Sequence, residues 1–447
     1  MYPENTALSR EFSLKSLLSF SMPTICMMVF MSLYTSVDGI FVSHYISSNA
    51  LAAVNLVYPV FSFALALSLM LAAGGTALIA RWMGEGHLEH ARQFFSLLYL
   101  TGLVSAAAIT ALVWLFDEQL LQLLGCTPVL QPYAQSYLLT LSLFLPLSYF
   151  QMFAQNFFVT EGKPILGLTT SMAGGVANIL LDWLFLGPMG MDISGAAVAT
   201  GIGYAIPGLF GIVYFFRNRK GSLCFVLPRW EGRALASACF NGASELVNNL
   251  SVAITTMLFN LMMLHYAGED GVAAITVILY VQFIQSAVYF GYTQSVSPVI
   301  SYKYGQQDRP QLRHIVRLSL WITMAASVLV ILLSVMGADW IIDAFLGAGS
   351  PIHAMTRRGF LIFSSAYLFM GLNIFYSAMF TAFGDGRTSA LLSFMRTLVF
   401  LVGALLLLPL MLDLDGVWLA VPVAEALSFL LGIWCYRRYG NRYGYRS

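Results

Sequence analysis

Two aspartates, Asp38 and Asp182, lie inside long apolar stretches of the sequence. An ionised side chain at the centre of a bilayer costs roughly 2.5–3.5 kcal/mol even on insertion scales, so such residues commonly mark the path of an ion or proton. Asn178 precedes Asp182 by four residues, in GGVANILLDWLFL, and the two side chains therefore share one helix face. Carboxylate and amide oxygens suit a hard monovalent cation, and two neighbouring carboxylates can instead share one proton.

Helix geometry places a further oxygen ligand near the same depth. At a rise of 1.5 Å per residue, Asp182 lies roughly 7 Å, Thr200 roughly 10 Å and Asp38 roughly 12 Å from one membrane surface. Small residues around Thr200, in SGAAVATGIGY, permit a close approach between helices. The alternative is a polar seam that only joins helices by hydrogen bonds. Because two carboxylates without a basic neighbour would be a costly seam, the pattern favours a site for Na⁺ or H⁺.

The second half of the chain carries a different set of buried charges: Glu245, Arg396 and Glu425. Counted from the other membrane surface, they lie at depths of roughly 18, 13 and 18 Å. An arginine inside a helix bundle normally pairs with a carboxylate, which predicts a structural ion pair between Arg396 and Glu425. Glu245 would then be left for a cationic substrate or a proton, or for hydrogen bonds between helices. Both interpretations remain open.

Two prolines fall inside the apolar segments that must position these residues. Pro146 and Pro23 each remove a helical hydrogen bond and permit a kink. Pro23 could act as a hinge that bends the first segment toward Asp182, or it could simply be tolerated there.

Composition identifies an integral membrane protein. Of the 447 residues, 59% are hydrophobic and 10% are charged, whereas soluble proteins carry about 25% charged residues. A net charge of +1 argues against a nucleic-acid partner. The five cysteines form no metal-binding or disulfide pattern. The sequence contains no hydrolase or nucleotide-binding motif, so we expect no enzyme activity, and no cofactor or metal other than Na⁺ or H⁺ as coupling ion.

Hydropathy predicts an all-α membrane protein with twelve spans, each long enough for the roughly 20 residues that cross a bilayer. The polar start has no cleavable signal pattern, so the first span should be retained. All but three of the 22 Lys and Arg residues (Arg357, Arg358 and Arg396) fall on one side, which predicts a multi-pass cell-membrane protein with both termini cytoplasmic. The predicted spans are 14–44, 51–80, 93–116, 133–158, 164–186, 194–216, 234–264, 272–301, 311–335, 357–382, 388–411 and 416–436.

The chain also looks duplicated. Laying residues 44–92 over 265–313 without a gap aligns His44-Tyr45 with His265-Tyr266, and it aligns Gly84 with Gly305. The order of two segments, a glycine-containing loop and a basic turn is shared. This predicts a first lobe over residues 1–216, a basic cytoplasmic linker over 217–233 and a second lobe over 234–447. Two parallel repeats of six spans would hold a substrate in the cleft between them.

Several motifs in chain order resemble the multidrug and toxic compound extrusion (MATE) family, in its bacterial MepA-like branch. They are SVDGIFVSHYI on span 1, NILLD on span 5, NGASELVNNLS on span 7, YVQFIQSAVYFGYTQSVSPVISYKYG on span 8 and GVWLAVPVAEALSFLL on span 12. The resemblance covers essentially the whole chain. It implies a V-shaped fold of two six-helix lobes and export of lipophilic, often cationic compounds against a Na⁺ or H⁺ gradient.

The resemblance also implies which residues bind the cation. The family's site in the first lobe matches Asp38, Asn178, Asp182 and Thr200, with Tyr137 as the tyrosine contributed by span 4. Some members bind cation through acids of the second lobe, but span 10 here, FLIFSSAYLFMGLNIFYSAMF, contains no carboxylate. The site is therefore expected in the first lobe.

These inferences combine into one hypothesis of alternating access. An external cation binds Asp38 and Asp182, neutralises them and reshapes span 1, which drives the substrate outward. We expect a monomer in the bilayer whose ligands are small organic molecules. The alternatives are an exporter of one metabolite, a flippase for lipid-linked precursors, which usually needs several buried basic residues, and a channel.

Overall fold

The computed structural model describes residues 7–347 and 349–446, without the side chains of residues 35–44 and Ser48. Within these ranges the regular elements are helices, and no strand occurs. The helices are α1 (Leu14–Tyr45), α2 (Ser48–Gly84), α3 (Leu88–Leu115), α4 (Asp117–Leu123), α5 (Gln131–Ser142), α6 (Leu145–Thr160), α7 (Pro164–Leu186), α8 (Ile193–Arg217), α9 (Gly232–Asn241), α10 (Ala243–Gly305), α11 (Arg309–Met336), α12 (Ala338–Leu346), α13 (His353–Ser364), α14 (Tyr367–Ala382), α15 (Gly386–Phe394), α16 (Leu401–Leu407) and α17 (Pro409–Tyr443). A π-helical turn, Met395–Phe400, joins α15 to α16.

The predicted twelve spans agree with these helices. Nine helices of the described chain are long and apolar enough to cross a membrane. Two bent pairs, α5 with α6 and α13 with α14, bend by 54° and 46° and each form one further span. The first break directly precedes Pro146, which confirms the kink expected from its missing N–H. The second occurs at Ser365 and Ala366, where the sequence has no proline.

The twelfth span comes from α10, which folds back on itself. A straight helix of its 63 residues would be about 95 Å long. Gly268 interrupts it with φ 64° and ψ −155°, a conformation open to glycine. The ends of α10 both pack against α2: a Cβ on Gly242 would lie 2.0 Å from the carbonyl oxygen of Met70, and one on Gly305 would lie 2.1 Å from that of Arg81. Since these two carbonyls are only about 16 Å apart along α2, the two limbs of α10 must run antiparallel.

The predicted seventh span, 234–264, differs in its start. The chain forms α9 first, breaks at Gly242 and begins α10 at Ala243. The break falls on a glycine, which has a low helix propensity, and position 242 requires glycine because a side chain there would collide with the α2 backbone.

Three buried apolar clusters show where the chain packs. The largest combines residues of both halves, including Phe95 and Phe157 from the first and Val299 and Phe380 from the second. The other two clusters each draw on one half of the chain, residues 50–197 and 259–421. The shared cluster lies at the end that holds the turns 85–87, 161–163, 218–231, 306–308 and 383–385, which we call the basic end. The two halves are thus packed together mainly at the basic end.

Glu161 fixes the connection between the halves at this end. Its carboxylate accepts hydrogen bonds from the backbone N–H of Leu223, at 2.7 Å, and of Ser222, at 3.0 Å, and from Asn218 Nδ2, at 3.0 Å. Burial raises the pKa of the Glu161 carboxyl, although the three donors oppose this by stabilising the anion. Arg92 holds the same stretch by donating to the carbonyl oxygens of Gly221 and Ser222. The connection is therefore an ordered part of the basic end.

Glycines permit a reciprocal contact of the halves there. A Cβ on Gly84 would lie 2.1 Å from the carbonyl oxygen of Tyr302, and one on Gly305 would lie 2.1 Å from that of Arg81. Each glycine thus touches the carbonyl three residues before the other. Such reciprocity is what a pseudo-twofold relation produces, and it supports the alignment of Gly84 with Gly305.

We predict that Gly84→Ala and Gly305→Ala each destabilise the protein by about 1–3 kcal/mol, as overpacking of a close contact does. Gly403→Ala is the matched control, because a Cβ there would meet no described atom within 4 Å and its backbone is helical. Thermal unfolding in detergent measures the difference. Equal midpoints for all three variants would show that the contact tolerates a methyl group.

Candidate functional site

Asn178 and Asp182 form the centre of the polar site in the first half. Both lie on α7, and Asn178 Nδ2 donates to Asp182 Oδ2 at 3.1 Å. Their exposed fractions are 2% and 0%. The predicted sharing of one helix face is present, because residues four apart are neighbours on a helix. A carboxylate is thus fully enclosed among apolar helices, where compensation of its charge is essential.

Thr200 reaches this region because α7 and α8 come unusually close. A Cβ on Gly174 would lie 2.4 Å from the carbonyl oxygen of Gly203, and one on Gly203 would lie 3.1 Å from Asn178 Cβ. Thr200 precedes Gly203 by one turn on α8. Asn178 Oδ1 and Thr200 Oγ1 are both buried and have no hydrogen-bond partner within the described part of the chain. Buried polar atoms normally have one, so these two oxygens are suited to accept a ligand.

Tyr137 lies on α5, in the apolar cluster of the first half. The same cluster contains Leu186, one turn beyond Asp182, and Ala196, one turn before Thr200. The Tyr137 ring is buried and stands edge-on to Phe61, with 6.3 Å between ring centroids. Tyr137 thus shares an apolar cluster with residues one turn from Asp182 and Thr200, and its part in the site stays a prediction.

Asp38 belongs to α1, but its side chain lies outside the described residues, so its part in the site stays a prediction. The described contacts of α1 with α7 occur on both sides of that level. A Cβ on Gly175 would lie 2.6 Å from the Phe30 ring, and one on Gly187 would lie 3.4 Å from the Tyr45 ring.

Pro23 is accommodated without a break, since α1 continues from Leu14 to Tyr45. The next residues, Thr24 and Ile25, pack against α10: a Cβ on Gly291 would lie 2.6 Å from the Cα of Ile25. The proline is therefore next to a contact between the halves. Its role as a hinge stays a prediction.

Arg396 and Glu425 lie together in the second half. Arg396 Nε donates to Glu425 Oε1 at 2.8 Å, and the two side chains are 14% and 6% exposed. Asn373 Nδ2 donates to the other carboxylate oxygen at 2.6 Å. Arg396 lies on the π-helical turn, Asn373 on α14 and Glu425 on α17, so three spans meet at this group.

Sequence reasoning did not identify Asn373. We expected only a carboxylate to matter in span 10. The structure instead has the amide of Asn373 in this span, which donates to the carboxylate of Glu425 on α17. The signal that could have found it is the polar residue within an apolar stretch, GLNIFYS.

Glu245 lies in the first turn of α10 and is half-buried. Within the described chain its carboxylate forms no hydrogen bond, and no cationic group lies within 4 Å of it. It interacts electrostatically with Arg396 over a longer distance. The residue is thus placed near the Arg396–Glu425 pair without belonging to it.

A row of hydroxyl groups joins α14 to α15 beside Glu245. This row was not identified from the sequence either. Ser377 Oγ lies 3.0 Å from Ser389 Oγ and 2.9 Å from Ser393 Oγ. Thr381 Oγ1 lies 2.7 Å from Ser389 Oγ and 3.4 Å from Ser244 Oγ on α10. These buried groups satisfy one another, which is typical of hydrogen bonds between membrane helices.

The sequence is similar to that of a known transporter family along both halves of the chain. The sequence model of the MatE family matches residues 23–184 and 246–406, one stretch in each half. The multidrug export protein MepA of Staphylococcus saprophyticus is 21% identical over 420 residues, which cover 93% of this chain and 92% of that protein. MepA of Staphylococcus haemolyticus is 21% identical over 429 residues, covering 96% and 94%.

Solved structures share the fold. A crystal structure of MATE in complex with MaL6 superposes with a TM-score of 0.92 at 23% identity, over 98% of both chains. A MOP-superfamily transporter from Pyrococcus furiosus, described as having a binding pocket of reverse polarity, gives 0.90 at 23% identity, again over 98% of both chains. An aspartate-to-asparagine mutant of the Vibrio cholerae MATE transporter VcmN gives 0.89 at 19% identity, over 96% of this chain and 97% of that one.

We predict that Arg396→Gln and Glu425→Gln each cost about 3–5 kcal/mol, because each leaves a buried charge without its partner. The double variant should lose less than the sum of the two. Arg357→Gln is the control, since Arg357 and Asp339 form an ion pair with side chains 46% and 60% exposed, and such pairs contribute less than about 1 kcal/mol.

Unfolding midpoints of the four variants in detergent measure these costs. Strict additivity of the two single variants would contradict the interpretation as one coupled pair.

Proposed function

Because the chain belongs to the MatE family, we propose that this transporter exports small organic molecules across the cell membrane in exchange for Na⁺ or H⁺. The observation that carries the proposal is the enclosed Asp182 beside two buried oxygens, Asn178 Oδ1 and Thr200 Oγ1, that have no partner in the described chain. The relatives named MepA, multidrug export proteins, support lipophilic drugs or metabolites as the substrates.

The polar site would serve as the coupling site. A cation that binds at Asp182 would exchange its own water ligands for carboxylate, amide and hydroxyl oxygens, the ligands that hard cations prefer. A proton would neutralise the same carboxylate, so the site suits either ion. Asp38 would complete it from α1, with Tyr137 at its edge. Binding there acts on transport only if the cation favours one arrangement of α1 over another.

The packing supports an arrangement that is closed at the basic end. The shared apolar cluster and the glycine contacts join the halves there, whereas the other two clusters each belong to one half. Because Lys and Arg are in excess at the basic end, this end would be cytoplasmic, with both termini on that side. The proposed lobes are residues 1–216 and 234–447, joined by the linker 217–233, and substrate would enter the cleft between them in a monomer.

The second lobe would contribute to substrate binding through Glu245. Of the two acids near Arg396, Glu425 pairs with it directly and Glu245 does not. The Arg396–Glu425 pair would be structural. It also disfavours a flippase for pyrophosphate-linked precursors, because the buried arginine is already paired with a carboxylate, whose other oxygen accepts from the Asn373 amide.

We predict that Asp182→Asn and Asp38→Asn each reduce substrate efflux driven by a cation gradient at least about fivefold, the lower end of typical coupling between two sites. The asparagine keeps the side-chain shape but removes the charge that attracts the cation. Glu118→Gln is the control, since Glu118 is an exposed acid of the same half.

The measurement is efflux of a fluorescent organic cation from proteoliposomes, with Na⁺ and pH gradients imposed separately. Efflux by Asp182→Asn at the rate of Glu118→Gln under both gradients would refute the coupling site. Efflux in the native protein that never runs against the substrate gradient would instead indicate a channel.

A further inference from the structure

A pocket at the basic end is lined by positive charge. It has a volume of about 70 Å³ and lies between the end of α10, the first turn of α11 and the end of α17. Lys303, Arg309 and Arg442 line it together with Gln307, Tyr443 and Gly444, and none of its described lining residues is acidic. We call this the basic pocket.

Arg309 and Arg442 have N–H groups that are available for further hydrogen bonds. Neither Arg309 nor Arg442 has a carboxylate within 4 Å among the described residues, and both are exposed at the mouth of the pocket. Arg442 rests on the Tyr443 ring, 5.3 Å from its centroid. Arg309 Nε lies 3.4 Å from the position of a Cβ on Gly444, so it reaches across to the end of the chain segment after α17.

Lys303 forms the floor of the pocket and is fully engaged. Its Nζ donates to the carbonyl oxygen of Ser9 at 2.9 Å, to Gln306 Oε1 at 3.2 Å and to Asp308 Oδ2 at 3.4 Å. An ammonium has three donors, so all are used. Lys303 is therefore already paired with Asp308 and offers no free N–H group, so the arginines supply both the unpaired charge and the free N–H groups.

Two acids next to residues of the pocket are engaged with other groups. Asp308 accepts from Lys303 and from the backbone N–H of Gln311, and Asp385 accepts from the hydroxyl of Tyr443 and from Thr388. The charges of Arg309 and Arg442 at the mouth thus have no carboxylate partner among the described residues, whereas the N-terminal end of α11 is already capped by Asp308.

We propose that the basic pocket binds a phosphate group through Arg309 and Arg442. The guanidinium fork matches phosphate oxygens in pairs, which favours this anion over a spherical one. A water-sized group needs about 10–15 Å³ of such cavity volume, so the 70 Å³ pocket has room for about five to seven such groups, which is enough for the five non-hydrogen atoms of a phosphate group. The phosphate can belong to a soluble phosphate or to the headgroup of an anionic lipid. The proposal does not depend on the transported substrate or on the coupling ion.

The test compares two phosphate sources on the full chain. Inorganic phosphate is titrated into detergent-purified protein by calorimetry, and bound phosphatidylglycerol is counted by native mass spectrometry against phosphatidylcholine. The double variant Arg309→Gln/Arg442→Gln should weaken phosphate or phosphatidylglycerol binding at least about tenfold, since it removes charge-assisted bonds from both sides. Arg219→Gln/Arg229→Gln removes the same charge from exposed linker positions of the same end and should bind as the native protein does.

The outcomes distinguish a site for soluble phosphate from a site for a lipid headgroup, or overturn the phosphate site. Arginine-dependent binding of inorganic phosphate supports a site for soluble phosphates, and arginine-dependent binding of phosphatidylglycerol alone supports a headgroup site. Absence of both, or equal weakening by the linker control, overturns the proposal. Should the double variant fail to fold, the single variants Arg309→Gln and Arg442→Gln apply the same comparison, with a smaller expected loss.

Discussion

The reciprocal contact of Gly84 and Gly305 is the constraint on which the arrangement of the halves depends. Each glycine meets the carbonyl oxygen three residues before the other, so the backbones of α2 and α10 touch without intervening side chains. In a membrane, helices associate by such close packing because lipid offers no hydrophobic driving force between them. Gly242 against Met70 and Gly291 against Ile25 extend the contact. A cleft between the halves can therefore open at the other end while the basic end stays closed.

The two buried carboxylates on α7 and α17 show how differently charge is compensated in the two halves. Glu425 has a guanidinium on one oxygen and an amide on the other, so it needs no ligand. Asp182 receives the amide of Asn178, while Asn178 Oδ1 and Thr200 Oγ1 close by still lack partners in the described chain. A carboxylate bound on both oxygens by other spans is suited to hold helices together, whereas oxygens without a partner in the described chain, such as Asn178 Oδ1 and Thr200 Oγ1, are suited to accept a ligand. This difference is the physical basis for proposing a structural role for Glu425 and a coupling role for Asp182.

Local features were predictable from the sequence, and contacts between distant residues were not. Hydropathy identified the spans, and Pro146 predicted the break that follows from a missing N–H. The i, i+4 spacing predicted the contact of Asn178 with Asp182. By contrast, the end of α9 at Gly242 and the bond of Asn373 to Glu425 depend on neighbours far away in sequence. The pairing of Arg396 with Glu425 was an intermediate case, because the cost of an unpaired buried charge narrowed the choice of partner.

The segment 7–12 adds a second restraint at the basic end, and its contacts bear on how the proposed cycle could proceed. A Cβ on Gly162 of the first half would lie 2.1 Å from Ala7 Cβ, while Ser9 and Phe12 bond to Lys303 and Gln311 of the second half. Because the segment touches both halves, opening of this end must break one set of contacts. Lys303 is almost completely buried, so losing an acceptor there is costly unless water or an anion replaces it. The halves are then more easily separated if the segment leaves Gly162, an apolar contact, and stays with Lys303.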